Sequence, residues 1–139
     1  MDSQKLESEG WAKLSPGGFS GMVGPFWKKV DNDKLEVGLI AEDRHCNNHI
    51  STVHGGVLLA FSDVSLGLGV VEALGSPSCV TTQIQLQFIA TAKVGELIVC
   101  TPEVIRKSKE LVFMRGLLRT ADNKIVASAD GIWKIIERK

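Results

Sequence analysis

The stretch Val53–Gly75, "VHGGVLLAFSDVSLGLGVVEALG", decides the fold. It is apolar on nearly every side at helical spacing, which predicts one long helix without the polar stripe of a surface helix. Such a helix needs cover all round, and a sheet curled about it would supply that cover. Gly75-Ser76-Pro77 form its stop signal. Gly67 and Gly69 each cost about 1 kcal/mol relative to alanine in a helix, which makes sense where another backbone comes close. Two polar residues stand out: His54 at the start and Asp63 in the middle. A carboxylate in apolar surroundings costs several kcal/mol unless it is paired or its pKa rises.

Outward from the helix, the first fifteen residues, "MDSQKLESEGWAKLS", predict a short amphipathic helix with Leu6, Trp11 and Leu14 available to dock. A glycine-rich approach, "SPGGFSGMVGPF", leads to two short strands around Phe26–Val30 and Leu35–Ile40, with "DND" as the hairpin turn. "AEDRHCNNHIST" reads as an irregular loop into the helix. Four strand-like segments follow: "CVTTQIQLQFIA", "ELIVCTPEVIR", "LVFMRGLLRT" and "KIVASADGIWKII". In the first of these, Thr82, Ile84, Leu86 and Phe88 alternate with Thr81, Gln83, Gln85 and Gln87. The expected plan is two strands, one long helix and four strands, an α+β antiparallel sheet wrapped around one helix. It forms a single domain over 1–139 with an N-terminal helical extension over 1–18.

Sixteen basic residues balance sixteen acidic ones, so no net field recruits nucleic acid or an anionic membrane. Any anionic ligand is then caught by a local cluster. His54, Asp63 and Glu72 interrupt the apolar helix, each acid costing about 2.5 kcal/mol or more at bilayer depth, so no membrane span is expected. The N-terminus lacks the apolar run of a secretory signal. Cys46, Cys79 and Cys100 are odd in number and carry no CxxC pair. Reduced thiols in a cytoplasmic setting are therefore expected, without a zinc site. His45 and His49 lie near His54 but form no HExxH pair, and no metal site is expected.

His54 and Asp63 are nine residues apart. On a helix that is roughly 13 Å along the axis and half a revolution round it, too far for one chain's two side chains to share a reacting atom. Two copies related by a two-fold axis could bring His54 of one beside Asp63 of the other, giving two identical composite sites. Gly55 and Gly56 sit where helix N–H groups lack helical partners, and no side chain blocks them. With the positive end of the helix dipole behind them they suit an oxyanion or a polarised carbonyl. A carboxylate in a partly apolar pocket can act as a general base on water or attack a carbonyl itself. These are the parts of a hydrolase for an activated acyl group.

The combination of "NHISTVHGG" (Asn48–Gly56), Asp63 and the later "TAKVGE" resembles the hotdog-fold acyl-CoA thioesterases, in particular those of the phenylacetate-pathway and human thioesterase-superfamily type. The resemblance covers most of the chain, from about Phe26 onward. It implies a hotdog fold, homodimers that pair into tetramers, and hydrolysis of acyl-coenzyme A to free acid and CoA without a metal or redox cofactor. By the same resemblance the Gly55 N–H holds the thioester carbonyl, with Asn48 and His54 shaping that hole. Asp63 of the neighbouring subunit activates water, which Thr81 helps to place. The chain departs from the family at Ser51, where glycine is common, and at Thr91, where proline is common. Both affect loop shape rather than a reacting group.

Gly56 and Ser62 are further candidates for substrate contact. Arg106, Lys107 and Lys109 in the "RKSK" turn are candidates for the phosphates of CoA. The face of Gln83, Gln85 and Gln87 is either wet or a meeting place for two dimers, and Trp11, Trp27 and Trp133 read as packing. The alternatives are a hotdog hydratase or dehydratase and a protein that binds acyl-CoA without turnover. A mitochondrial matrix location is open if the source is eukaryotic.

Overall fold

The computed structural model describes residues 1–14, 16–47 and 50–136. In chain order the elements are α1 (Ser3–Ser8), β1 (Ala12–Lys13), α2 (Gly18–Val23), β2 (Phe26–Asp31), β3 (Lys34–Ile40), a 3-10 turn (Asp43–His45) and α3 (Gly55–Leu74). Then come β4 (Cys79–Phe88), β5 (Leu97–Cys100), β6 (Glu103–Lys107), β7 (Leu111–Thr120) and β8 (Ile125–Ile135). The strands form one antiparallel sheet in the order β1-β2-β3-β5-β7-β8-β4, with β6 also on β7. The expected α+β arrangement, a sheet wrapped against one long helix, is what the chain adopts.

The local signals act as expected at several points. Asn32 and Asp33 take φ of 52° and 63°, so the two-residue β2–β3 turn is left-handed at both positions and matches the strand twist. Gly75 closes α3 at φ 69° and gives its N–H to the Val71 carbonyl. The second post-helical segment is broken into β5 and β6 at Thr101-Pro102. Pro102 has no N–H to give a ladder, and the strand bends there.

The helix packs by a stripe of Leu58, Phe61, Leu66 and Val70 against Val112, Met114, Leu118, Ala127 and Trp133 of the sheet. Gly69 and Gly116 allow this approach. A Cβ on Gly69 would stand 2.6 Å from Pro102 Cβ, and one on Gly116 would stand 2.8 Å from Cys100 Sγ. The expectation of close approach therefore holds for Gly69, but against side chains, whereas Gly67 faces a groove.

The expectation of cover on all sides does not hold for the single chain. Leu59, Ala60, Asp63, Gly67 and Val71 form a second, half-covered stripe, because β4 is the last strand of the sheet and reaches over only one flank. By length and apolar composition α3 could cross a membrane; here its other side is the core contact of the sheet.

The N-terminal helix is also shorter than expected. It stops at Ser8, Gly10 follows at φ 94°, and Ala12–Lys13 pairs with β2 instead. Leu6 and Trp11 dock as expected, with Trp27 and Leu97 in a second apolar cluster, while Leu14 packs against the main core. The glycine-rich approach contains an unforeseen helix, α2. Arg44 holds it by donating to the Met22 carbonyl (2.6 Å) and to that of Gly24. Buried His45 accepts the Glu42 N–H on Nδ1, so its Nε2–H donates to the Val23 carbonyl at 2.6 Å.

Candidate active site

Two parts of α3 carry the candidate chemistry. At its start His54 is extended, at φ −63° and ψ 139°, and caps the helix: its Nδ1 accepts the Gly56 N–H at 2.8 Å. This uses one of the two glycine amides. Gly55 is the first helical residue, so its N–H has no acceptor within the helix, and none of the described residues takes it. It points from the positive end of a 20-residue helix, which favours an oxygen bearing negative charge. A Cβ on Gly55 would stand 3.2 Å from the Phe88 ring. Glycine therefore lets that ring lie against the helix start.

Two turns on, Asp63 lies half-buried on the uncovered stripe. Thr81 Oγ1 donates to its Oδ1 at 2.7 Å. The alternation of β4 alone would put Thr81 with the glutamines on the outer face. A β-bulge between Thr81 and Gln83 overturns that expectation. Thr81 stays opposite inward-facing Trp133, while Gln83 pairs with Ile132 and Thr82 Oγ1 donates to the Ile132 carbonyl at 3.0 Å. The extra residue re-aims one hydroxyl at the carboxylate. With this donor and an open groove beside it, Asp63 avoids the full burial cost foreseen from the apolar helix.

That groove, about 440 Å³, runs between α3 and β4 and is lined by Asp63, Gly67, Val71, Cys79, Thr81 and Trp133 among others. Burial, and next the Asp63 charge, push the Cys79 thiol above its ordinary range. A larger cleft of about 1060 Å³ opens between the β2–β3 turn and β6, near Gly69, Glu72 and Arg115. It holds none of the candidate residues, so the smaller groove is the one tied to the chemistry.

The structure brings Asp63 and Thr81 together, and His54 to Gly56, but it does not join the two groups within one chain. Gly55 and Asp63 are eight residues apart on one helix, about 12 Å along its axis. Ser62, expected at the substrate, is fully buried and donates to the Leu58 carbonyl at 2.8 Å. It lies four residues after Leu58, on the stripe that faces the sheet. Arg106 and Lys107 at the end of β6 and Lys109 in the turn after it are all exposed. Asn48 lies outside the described residues. Among the described residues no His, Cys, Asp or Glu side chains gather as a metal cluster. Phe88 and Trp133 went unremarked as site residues in the sequence. Their alternation marked them as inward-facing but not which part of the helix they meet.

A profile of the thioesterase superfamily matches residues 51–127. A candidate esterase of Pseudomonas aeruginosa is 31% identical over 116 residues, covering 82% of this chain and 85% of that protein. Zebrafish thioesterase superfamily member 2 superposes with a TM-score of 0.75 at 22% identity, covering 86% of this chain and 88% of the other. A Streptococcus pneumoniae hypothetical thioesterase, solved with coenzyme A, superposes at 0.68 with 14% identity, over 82% of this chain and 88% of the other. The shared architecture is the hotdog fold.

Proposed function

The chain belongs to the thioesterase superfamily, and on that footing we propose that it hydrolyses acyl-coenzyme A thioesters in sites shared between two copies of itself. The Gly55 N–H of one copy donates to the thioester carbonyl oxygen and stabilises the charge that develops there. Asp63 of the other copy takes a proton from water as the water oxygen attacks the carbonyl carbon. Thr81 holds the carboxylate, and its lone pairs are free to accept from that water. When the tetrahedral intermediate collapses, the C–S bond breaks and the proton on Asp63 passes to the leaving sulfur. Free acid and CoA thiol result, and Asp63 is ready again. His54 acts through the helix start, which its ring caps.

One observation carries this reading. An acid already bonded to a hydroxyl lies on the half-covered apolar stripe of α3, while the open amide stands at the helix start. Leu59, Val80, Phe88 and Ile89 add exposed apolar surface along the same side. A second copy packed there by two-fold symmetry would cover the stripe and carry its own Gly55 toward Asp63. The exposed Arg106, Lys107 and Lys109 are suited to the phosphates of CoA, and the coenzyme A in the Streptococcus structure supports that ligand class. The route uses the chain and water alone, with no metal or redox cofactor. Three free cysteines support a reducing compartment such as the cytoplasm. The test is thiol release from a panel of acyl-CoA esters. Wild type should release CoA, and Asp63→Asn, folded by circular dichroism, should lose at least about a hundredfold in rate. Equal release by the variant would remove Asp63 from the reaction.

A further inference from the structure

Trp133 is 2% exposed, with its ring packed in the core. Among the described residues no sealed side-chain nitrogen or oxygen lacks a partner. Trp133 lines the groove that Asp63 also lines, and none of the described residues accepts from its N–H, so that nitrogen is not among the sealed atoms. Its Nε1 stands 3.6 Å from where a side chain on Gly67 would begin. Buried tryptophan N–H groups ordinarily find a partner, so an open one on a groove wall invites an acceptor from outside the chain.

The placement fixes what that acceptor belongs to. Gly67 is one turn beyond Asp63 on α3, roughly 6 Å along the axis. Apart from Asp63, Thr81 and the Cys79 thiol, the wall there is apolar: Val64, Leu68, Val71, Pro77 and Val80. An apolar groove with one fixed donor orients a ligand and selects for a matching acceptor. Resting on the thioesterase reading above, we infer that this groove takes the acyl part of the substrate. Its Trp133 N–H reads an oxygen on that chain, so the preferred substrates are oxo- or hydroxyacyl-CoA esters. The oxygen sits about three to five carbons from the thioester, set by the one-turn offset. Gly67 keeps open the space where that oxygen lies, which explains a residue of poor helix propensity at this position.

Three esters test this: hexanoyl-CoA, 3-hydroxyhexanoyl-CoA and 5-oxohexanoyl-CoA. Wild type should turn over at least one oxygenated ester with a kcat/KM about tenfold above hexanoyl-CoA, the size of one well-made hydrogen bond. Trp133→Phe keeps the ring and deletes the N–H. Gly67→Ala keeps the N–H and puts a methyl group in front of it, at ordinary contact distance, on a helix that tolerates alanine well. Both variants should lose the preference, so that the ratio of kcat/KM for the oxygenated ester over hexanoyl-CoA falls to about one in each, whatever the variant does to the hexanoyl rate itself. If Trp133→Phe does not fold, Gly67→Ala decides alone. No preference in wild type, or a preference that survives Gly67→Ala, overturns the inference while leaving the thioesterase reading intact. No release from any ester overturns both.

Discussion

Gly55→Pro removes the N–H at the start of α3 and little else. His54 already sits at φ −63° and ψ 139°, the extended conformation that a residue before proline prefers. Position 55 is the first helical residue, where proline is well tolerated because its missing N–H makes no helical bond. The cap from the Gly56 N–H to His54 Nδ1 is not touched. The new Cβ would stand 3.2 Å from the Phe88 ring, a displacement that Gly55→Ala shares. Restricting the unfolded chain stabilises by about 0.4–1 kcal/mol, which offsets displacement of the ring. The melting temperature should then stay within about 4 °C of wild type. Activity should not survive so well. Removing one donor from a carbonyl-polarising site costs about 10²–10³ in kcat, or ~2.7–4 kcal/mol. Gly55→Ala is the control, since it adds the same Cβ against Phe88 and keeps the N–H. The assay is CoA release under saturating ester, with thermal melts of all three proteins. A proline variant within about threefold of the alanine variant would mean that the Gly55 amide does not hold the carbonyl.

The geometry also sets the outcome of perturbing Thr81, Cys79, Cys100 and Gly131. Thr81→Val deletes the donor to Asp63; such a bond to a charged group, discounted for its open setting, should cost about tenfold in kcat/KM. Thr81→Ser should stay close to wild type, and an unimpaired valine variant would take Thr81 out of the site. Burial and the Asp63 charge raise the Cys79 thiol pKa, so less thiolate is present at a given pH and alkylation at pH 8 should be slower than for a free thiol. Asp63→Asn removes the charge, lowers that pKa and should speed labelling of Cys79; an unchanged rate would refute a charged carboxylate beside it. Cys100, buried with its thiol pushed up to about 12, should label only on unfolding. Gly131→Ala would set a Cβ 2.6 Å from the Gln83 carbonyl and 2.8 Å from the Trp133 ring. Overpacking between two strands should cost about 2 kcal/mol and lower the melting temperature by about 8 °C; no shift would contradict the β4–β8 register.

The parts of the fold legible in the sequence are those set by local chemistry. Asn32-Asp33 had to be a left-handed turn, Gly75 had to end the helix, and the alternation from Ile84 to Phe88 named the inner face. The separation of Gly55 from Asp63 was legible too, because it follows from helix rise alone. What alternation could not show is where the strand gains a residue. The bulge at Thr81 and Thr82 turns one hydroxyl from the glutamine face to the carboxylate, and no residue type announces it. The break at Pro102 had a visible signal, a proline inside a strand. Ser62 had one as well, since it shares the Leu58 stripe. α2 had little: two glycines within it and one at each end hide a helix that Arg44 and His45, more than twenty residues on, hold in place. The division of labour between the two glycine amides also depends on a distance, His54 Nδ1 to the Gly56 nitrogen, that no sequence displays.

A shared site is tested most directly by mixing two dead variants. Asp63→Asn lacks the acid in every copy, and Gly55→Pro lacks the amide in every copy. Refolded together in equal amounts, each composite site has about one chance in four of drawing its amide from the first variant and its acid from the second. CoA release should therefore return to about a quarter of the wild-type rate, although neither parent is active alone. A mixture no faster than its parents, from proteins shown to have exchanged subunits, would place the whole reaction within one chain and contradict the shared site.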